Sequence, residues 1–280
     1  MLLTRSPDRA GAMAAALAEA GAEPLLLPLI DFERAEDQGA LADALARLAA
    51  GDFGWLVVSS ITTVRALKEA AAAQGMGLPA LVPRGVRVAT IGPSSRRVLE
   101  AEGLRVDLAP EGRQSAEGLV EVWEGGGASV LLPQSDLAAP TLAEGIAAAG
   151  NRVETVTAYR TVDFPADPVR RLTAPLAAGE PSGQEAPAVV LQPAQANREL
   201  AAGRLDAVVA ASPSAARRIH AVLDPLGSTS LIAIGEPTAE ELRSLGIPAA
   251  ATAATPTPAG IVDAVARALN DDSPPQKEKP

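Results

Sequence analysis

Four short turns carry hydroxyl groups where a ligand could use them. Ser59-Ser60-Ile61-Thr62 and Ser212-Pro213-Ser214 each follow a short apolar run and lead into a helical stretch. Gly92-Pro93-Ser94-Ser95 and Gly235-Glu236-Pro237-Thr238 repeat the arrangement with a glycine in front. At such a turn the first helical N–H groups lack an intrahelical acceptor and carry partial positive charge. Glycine admits a ligand to the backbone and Ser or Thr adds a donor, so carboxylates and phosphates bind well there. Serine and threonine are also the ordinary N-cap residues, so capping explains any one turn by itself. The four together make anion binding an equal reading. None forms GxGxxG or GxxxxGK[ST], so neither a dinucleotide nor an ATP site is indicated. Arg5, closing the first strand, reads as a cleft cation or an ordinary surface arginine; His220 reads as solvent-exposed, and Trp55 and Trp123 as packing residues. Tyr159 is the sole tyrosine and lies at the end of a strand.

Composition narrows the chemistry. The chain has no cysteine and one histidine, which excludes a thiolate nucleophile, a disulfide framework and a His-cluster metal site. Twenty-four basic residues stand against 34 acidic ones, which argues against an extended nucleic-acid or anionic-membrane surface. Apolar content of 48% with only 2% aromatic predicts aliphatic cores. The opening Met1-Leu2-Leu3-Thr4 reads as a strand rather than a signal peptide, and no run reaches the ~18 apolar residues of a membrane span. A soluble cytoplasmic protein is expected.

The elements that must position these turns come in two copies. Leu2-Leu3-Thr4-Arg5-Ser6-Pro7, leading to Gly21, returns 129 positions later as Leu131-Leu132-Pro133-Gln134-Ser135-Asp136, leading to Gly150. Leu56 to Ser60, Ile91 to Ser95, Gly103 and Ala116 to Leu119 recur as Val208 to Ser212, Ile234 to Thr238, Gly246 and Pro258 to Ile261. The order is A–B–A′–B′, a duplicated domain of alternating strands and helices, and hence parallel α/β sheets. The pattern predicts strands at 2–4, 24–30, 55–58, 86–91, 104–108 and one ending at Tyr159. Helices are predicted at about 8–20, 40–50, 61–73, 94–102 and 115–123. Gly125-Gly126-Gly127 reads as a turn or linker, 174–187 as a mobile loop insertion rich in Pro and Gly, and 270–280 as a disordered tail.

Taken in order, these pieces resemble the uroporphyrinogen-III synthase family over residues 1–269, apart from 174–187. The resemblance rests on Leu2 to Arg5, Val57 to Ser60, Ile91-Gly92-Pro93 with Leu99 and Gly103, and Val153 to Thr161. It continues through Val208 to Ser214, Ile234 to Ala239 with Gly246, and Thr255-Pro256-Thr257 with Gly260. It departs at Gln134-Ser135-Asp136, where many members place an arginine-glycine pair, at Ala210-Ala211 and at Glu236.

The resemblance implies an α/β fold of two similar doubly wound parallel-sheet lobes with an interleaved chain, two strand-like crossings and a cleft between the lobes. Lobe 1 would be 1–31 plus 165–269 and lobe 2 would be 36–160, with crossings near Asp31–Asp37 and Tyr159–Pro165. The implied activity is that of a cyclising hydro-lyase in tetrapyrrole biosynthesis, converting hydroxymethylbilane to uroporphyrinogen III with loss of water and inversion of ring D. It implies no cofactor and no metal, a monomer, and transient contact with the upstream deaminase, without nucleic acid or membrane as partner. Tyr159 matches the family's tyrosine and would donate a hydrogen bond to the leaving hydroxyl, its phenol being neutral at pH 7. The candidate substrate-binding set is Arg5, Ser60, Thr62, Gly92, Ser94, Ser95, Ser135, Ser212, Ser214, Gly235 and Thr238. Of these, Ser60, Ser95, Ser212 and Thr238 match hydroxyl positions lining the family's cleft. A two-lobed binding or sensor module for an anionic small molecule is the alternative reading. A two-lobed glycosyltransferase is disfavoured, since no nucleotide-diphosphate loop or Asp-x-Asp pattern is evident.

Overall fold

A computed structural model describes residues 1–177 and 189–271. In chain order the elements are β1 (Leu2–Leu3), α1 (Pro7–Glu19), β2 (Leu25–Leu26), β3 (Ile30–Arg34), α2 (Gln38–Ala49), β4 (Trp55–Val58) and α3 (Ile61–Ala73). After a 3-10 turn at Leu78–Leu81 come β5 (Arg87–Thr90), α4 (Pro93–Ala101), α5 (Ala116–Glu121), β6 (Ser129–Ser135), α6 (Thr141–Ala148) and β7 (Arg152–Asp163). The chain ends with α7 (Pro193–Ala201), β8 (Ala207–Ala210), α8 (Pro213–Val222), β9 (Ser230–Ala233), α9 (Glu236–Ser244), β10 (Ala251–Thr252) and α10 (Pro258–Asp271).

Two compact units share these elements. The first holds Met1–Asp31, Asp163–Pro165 and the described residues from 189 onward; the second holds Phe32–Val162 and the described residues from 166 to 177. In the first unit the strand order is β10-β9-β8-β1-β2, every pair parallel. Numbered within that unit this is 2-1-3-4-5 read backwards, a doubly wound order. In the second, β7-β6-β4-β5 repeats the order in parallel pairs, an isolated bridge from Ala89 to Leu108 stands where β10 stands in the first, and β3 adds an outer strand beside β7. The repeat is thus preserved in space but circularly permuted: the first unit is A with B′ and the second is B with A′.

Each sheet is covered on both faces, as parallel sheets require. Leu2 packs with Val208, Ala210 and Ile219 on one face while Leu3 packs with Val209, Met13 and Ile261 on the other. In the second unit Leu56 and Val58 face Val64 and Leu67, whereas Trp55 and Val57 face Leu142 and Ile146. Leucine, valine and isoleucine supply most of this burial, and Trp55 meets Trp123 with ring centroids 4.9 Å apart and planes tilted by 45°. The repeated glycines Gly103 and Gly246 follow α4 and α9 with φ of +87° and +77°, the left-handed conformation that ends a helix without a Cβ penalty.

Several expectations shift. The run 24–30 forms two short strands rather than one, because Pro28 has no N–H to give a ladder. The strand expected at 104–108 shrinks to the single bridge at Leu108. Residues 166–177 pack on the second unit, not with 189–269. Leu172 and Leu176 enter its core, Leu172 N donates to Phe32 O, and Glu69 accepts from Thr173 N and Ala174 N. The loop expected at 174–187 is therefore anchored at 174–177, and its remainder from 178 lies outside the described residues. Of the tail expected from 270, residues 270 and 271 complete α10, and 272–280 lie outside the described residues. Among the described residues no helix is long and apolar enough to cross a membrane.

Candidate functional site

In a doubly wound sheet, ligands sit beyond the carboxyl ends of the strands, where adjacent connections leave toward opposite faces. In the second unit that point lies between β4 and β6. α3, which follows β4, covers one face, and α6, which follows β6, covers the other. Ser60 follows β4 and Ser135 closes β6. Ser60 is the N-cap of α3: its backbone is extended, and its Oγ accepts from Thr63 N at 3.0 Å. The same Oγ lies 2.9 Å from Thr63 Oγ1 and 3.2 Å from Tyr159 Oη.

Tyr159 reaches Ser60 because β7 carries one extra residue. Gln134 pairs with Thr157 but Ser135 pairs with Tyr159, so Ala158 is skipped. Strict alternation would send Ala158 and Tyr159 to opposite faces. The irregularity turns both toward the core formed with α3, re-aiming the side chain as bulges do. The ring is 7% exposed and meets Phe32 edge-on, with centroids 5.6 Å apart at 81°.

Ser135 takes another role. Its Oγ donates to Asp136 Oδ1 at 3.0 Å, contacts Thr161 Oγ1 at 3.1 Å and accepts from Leu137 N at 3.2 Å. Asp136 Oδ1 also accepts from Thr161 N at 2.9 Å. α6 begins only at Thr141, so Ser135 is not a helix-start donor. Arg160, next to Tyr159, contacts Glu36 at 2.7 Å and Glu33 at 3.9 Å.

The helix starts differ in the donors they leave open. Among the described residues, Ile61 and Thr62 N–H at α3, and Ser94 and Ser95 N–H at α4, have no protein acceptor. Ser95 is nevertheless buried, and Gly92 caps α4 without a side-chain bond. In the first unit Ser212 Oγ caps α8 by accepting from Ala215 N at 3.0 Å, leaving Ser214 N–H open. At α9 the Thr238 N–H is already bonded to Gly235 O at 3.1 Å, Pro237 has none, and Thr238 is 1% exposed. Only Glu236 N–H remains there, beside an exposed carboxylate, so this start is the poorest anion site of the four. Arg5 is half-buried and its Nη1 donates to Arg9 O at 3.4 Å. His220 is exposed, as its polar helical surroundings suggest.

A third pair of hydroxyl caps was not among the candidate site residues, although Thr257 and Gly260 carry part of the family resemblance. Ser115 Oγ accepts from Gly118 N, and Thr257 Oγ1 accepts from Gly260 N, both at 3.2 Å. The signal was there as Ser-x-x-Gly and Thr-x-x-Gly in repeat register. The α5 start already holds an anion of its own. Ser115 Oγ donates to Glu117 Oε2 at 2.6 Å, and this bond, with the local N–H, holds the Glu117 carboxyl below the usual carboxylate value. Among the described residues no group of three or more His, Cys, Asp or Glu could hold a metal ion.

Fold and site define a duplicated α/β protein whose polar groups are hydroxyls, helix-start amides and one phenol. The sequence matches the family model described as Uroporphyrinogen-III synthase HemD over residues 11–263. A protein of Methanothermobacter thermautotrophicus is 29% identical over 164 residues, spanning 58% of this chain and 62% of its own length. A uroporphyrinogen-III synthase of Synechococcus elongatus is 32% identical over 121 residues, 43% of this chain and 44% of its own. The chain thus aligns with less than two thirds of either relative. Among solved structures, a mutant uroporphyrinogen III synthase of Thermus thermophilus superposes with a TM-score of 0.67 at 18% identity, covering 97% of this chain and 98% of that one. The Helicobacter pylori 26695 enzyme gives 0.51 at 17%, covering 85% and 90%. At such identities these likenesses establish the fold. The match over most of its length establishes more: the chain belongs to the uroporphyrinogen-III synthase family.

Proposed function

We propose that the protein cyclises hydroxymethylbilane to uroporphyrinogen III, eliminating water and inverting ring D, which makes it a hydro-lyase. The observation that carries this reading is the Tyr159–Ser60 contact of 3.2 Å at the carboxyl ends of β4 and β6, in a chain of this family. A pyrrole nitrogen can expel hydroxide once the leaving oxygen is hydrogen-bonded, and Tyr159 is the donor we assign to that oxygen. The resulting azafulvene cation is attacked by a carbon of another pyrrole. Without a template the chain closes to the wrong isomer, so most of the protein's task is holding the rings in a folded arrangement.

The substrate's carboxylates take the open helix-start donors. Ile61, Thr62, Ser94 and Ser95 N–H offer these in the second unit. The Ser60, Thr62 and Ser94 hydroxyls assist there, Gly92 gives the backbone access and Ser95 shapes its turn; in the first unit Arg5, Ser212, Ser214, Gly235 and Thr238 are candidate anion-binding residues of their own. Ser135 orients Asp136, whose negative charge suits pyrrole N–H groups rather than substrate carboxylates. We further read the protein as a cytoplasmic monomer that receives its labile substrate from the deaminase that makes it. The test is a coupled assay in which freshly generated hydroxymethylbilane is converted and the product isomers are separated chromatographically. Isomer III in excess of the spontaneous isomer I is the expected result; isomer I alone, at the rate without protein, overturns the reading.

A further inference from the structure

We infer that Asp136 is a further catalytic residue, whose carboxylate holds a pyrrole N–H of the substrate and stabilises the cation left when water departs; this rests on the function proposed above. The open donors at the starts of α3 and α4 suit carboxylates. The same partial positive charge opposes a cation. Yet the substrate brings pyrrole N–H donors as well as carboxylates, and the reaction makes a cation. The C–O bond of the hydroxymethyl group breaks, its electron pair leaves with the oxygen, which takes up a proton and departs as water, and the ring keeps the positive charge. The proton taken up is balanced by the one the attacking pyrrole loses on closure. A site of donors alone would work against this step.

Asp136 supplies the acceptor. It immediately follows β6, the strand beside β4, which leads to Ser60. Its N–H donates to Tyr159 O at 3.0 Å, which ties it to the residue that carries the phenol. Oδ1 accepts from Ser135 Oγ at 3.0 Å and from Thr161 N at 2.9 Å, so the carboxylate is held in place. Among the described residues Oδ2 has no hydrogen-bond partner and no cation pairs with the group. A charge already fixed costs no reorganisation as the cation forms. Leu137, 53% exposed, offers an apolar face for the ring beside it.

The repeat shows a change of polarity at this place. Asp136 stands where the first unit has Pro7. There the chain runs from Ser6 straight into α1, so the place is a helix start. In the second unit α6 begins only at Thr141, and 136–140 put a carboxylate and exposed apolar residues in the helix's stead. A donor end has been exchanged for an acceptor in the unit that carries Tyr159.

The test uses the whole chain in the coupled assay. Asp136→Asn keeps an acceptor oxygen for Thr161 N and Ser135 Oγ but removes the charge, and Asp136→Ala removes both. Each should lower kcat for isomer III by about tenfold, as for the loss of one hydrogen bond to a charged group. In Asp136→Asn, KM and the melting midpoint should stay unchanged. Full kcat in Asp136→Asn overturns the inference even if Asp136→Ala is impaired, because the residue would then merely hold its loop. A raised KM at constant kcat overturns it too, since the carboxylate would then bind without acting in the step. Wild-type protein that forms no isomer III refutes the proposed function and this inference together, a result distinct from an active wild type with an unaffected variant.

Discussion

The donor role proposed for Tyr159 rests on a buried ring and an oxygen held beside Ser60 near the carboxyl end of β4. Tyr159→Phe should lower kcat for isomer III by about 10²-fold or less, since a positioned acid typically contributes about 10²–10⁴-fold and the pyrrole nitrogen supplies much of the driving force. KM and the thermal midpoint should change little, which steady-state kinetics and a circular-dichroism melt check. Ser60→Ala should act mainly on stability. It removes an N-cap worth about 1 kcal/mol but leaves Ile61 and Thr62 N–H in place, so its effect on turnover should be the smaller of the two. Ser60 was legible as a strand-end polar group, but the strand expected to end at Tyr159 runs on to Asp163, and the contact between the two residues was not legible. It depends on the skipped Ala158, and nothing in Val156-Thr157-Ala158-Tyr159 signals an irregular ladder.

At the scale of elements, the turns that open α5 and α10 are set by glycines with no room for a side chain. A Cβ on Gly118 would lie 1.8 Å from Arg113 O, and one on Gly260 would lie 2.3 Å from Thr255 O. Gly118→Ala and Gly260→Ala should each cost about 1–3 kcal/mol or more through overpacking. Gly85→Ala, with nothing within 4 Å, should leave the melting temperature nearly unchanged. Glu117 adds a pH dependence to α5. Its folded pKa lies below the ordinary 4.5, so its stabilisation is full above that value and is lost as pH falls through the depressed one. Glu117→Gln should therefore flatten the fall in melting temperature below about pH 4.5.

Helices were the more legible elements. α3 falls on Ile61–Ala73 as its apolar spacing predicts, whereas 24–30 and 104–108 did not keep their strands. A helix satisfies its own backbone, but a short strand exists only where a neighbour completes the ladder. The run 104–108 found a single bridging partner.

The whole molecule is built from one duplicated unit cut at different points. Its A–B–A′–B′ order was visible in the sequence, but repeats alone do not say whether A joins B or B′. The pairing of Leu2 with Val208 records the answer in the first sheet. At this scale the prediction concerns metal: isomer III formation should survive exhaustive chelation, and activity lost to a chelator and restored by a divalent ion would refute it. The Trp55–Trp123 pair has a consequence for anyone who watches this protein unfold. Both tryptophans and the only tyrosine belong to the second unit, so intrinsic fluorescence and near-ultraviolet signals come almost wholly from that half. A fluorescence melt would miss the first unit, whose optical silence calls for calorimetry or far-ultraviolet dichroism. Only coincidence between those probes and fluorescence would license a single free energy of unfolding for the chain.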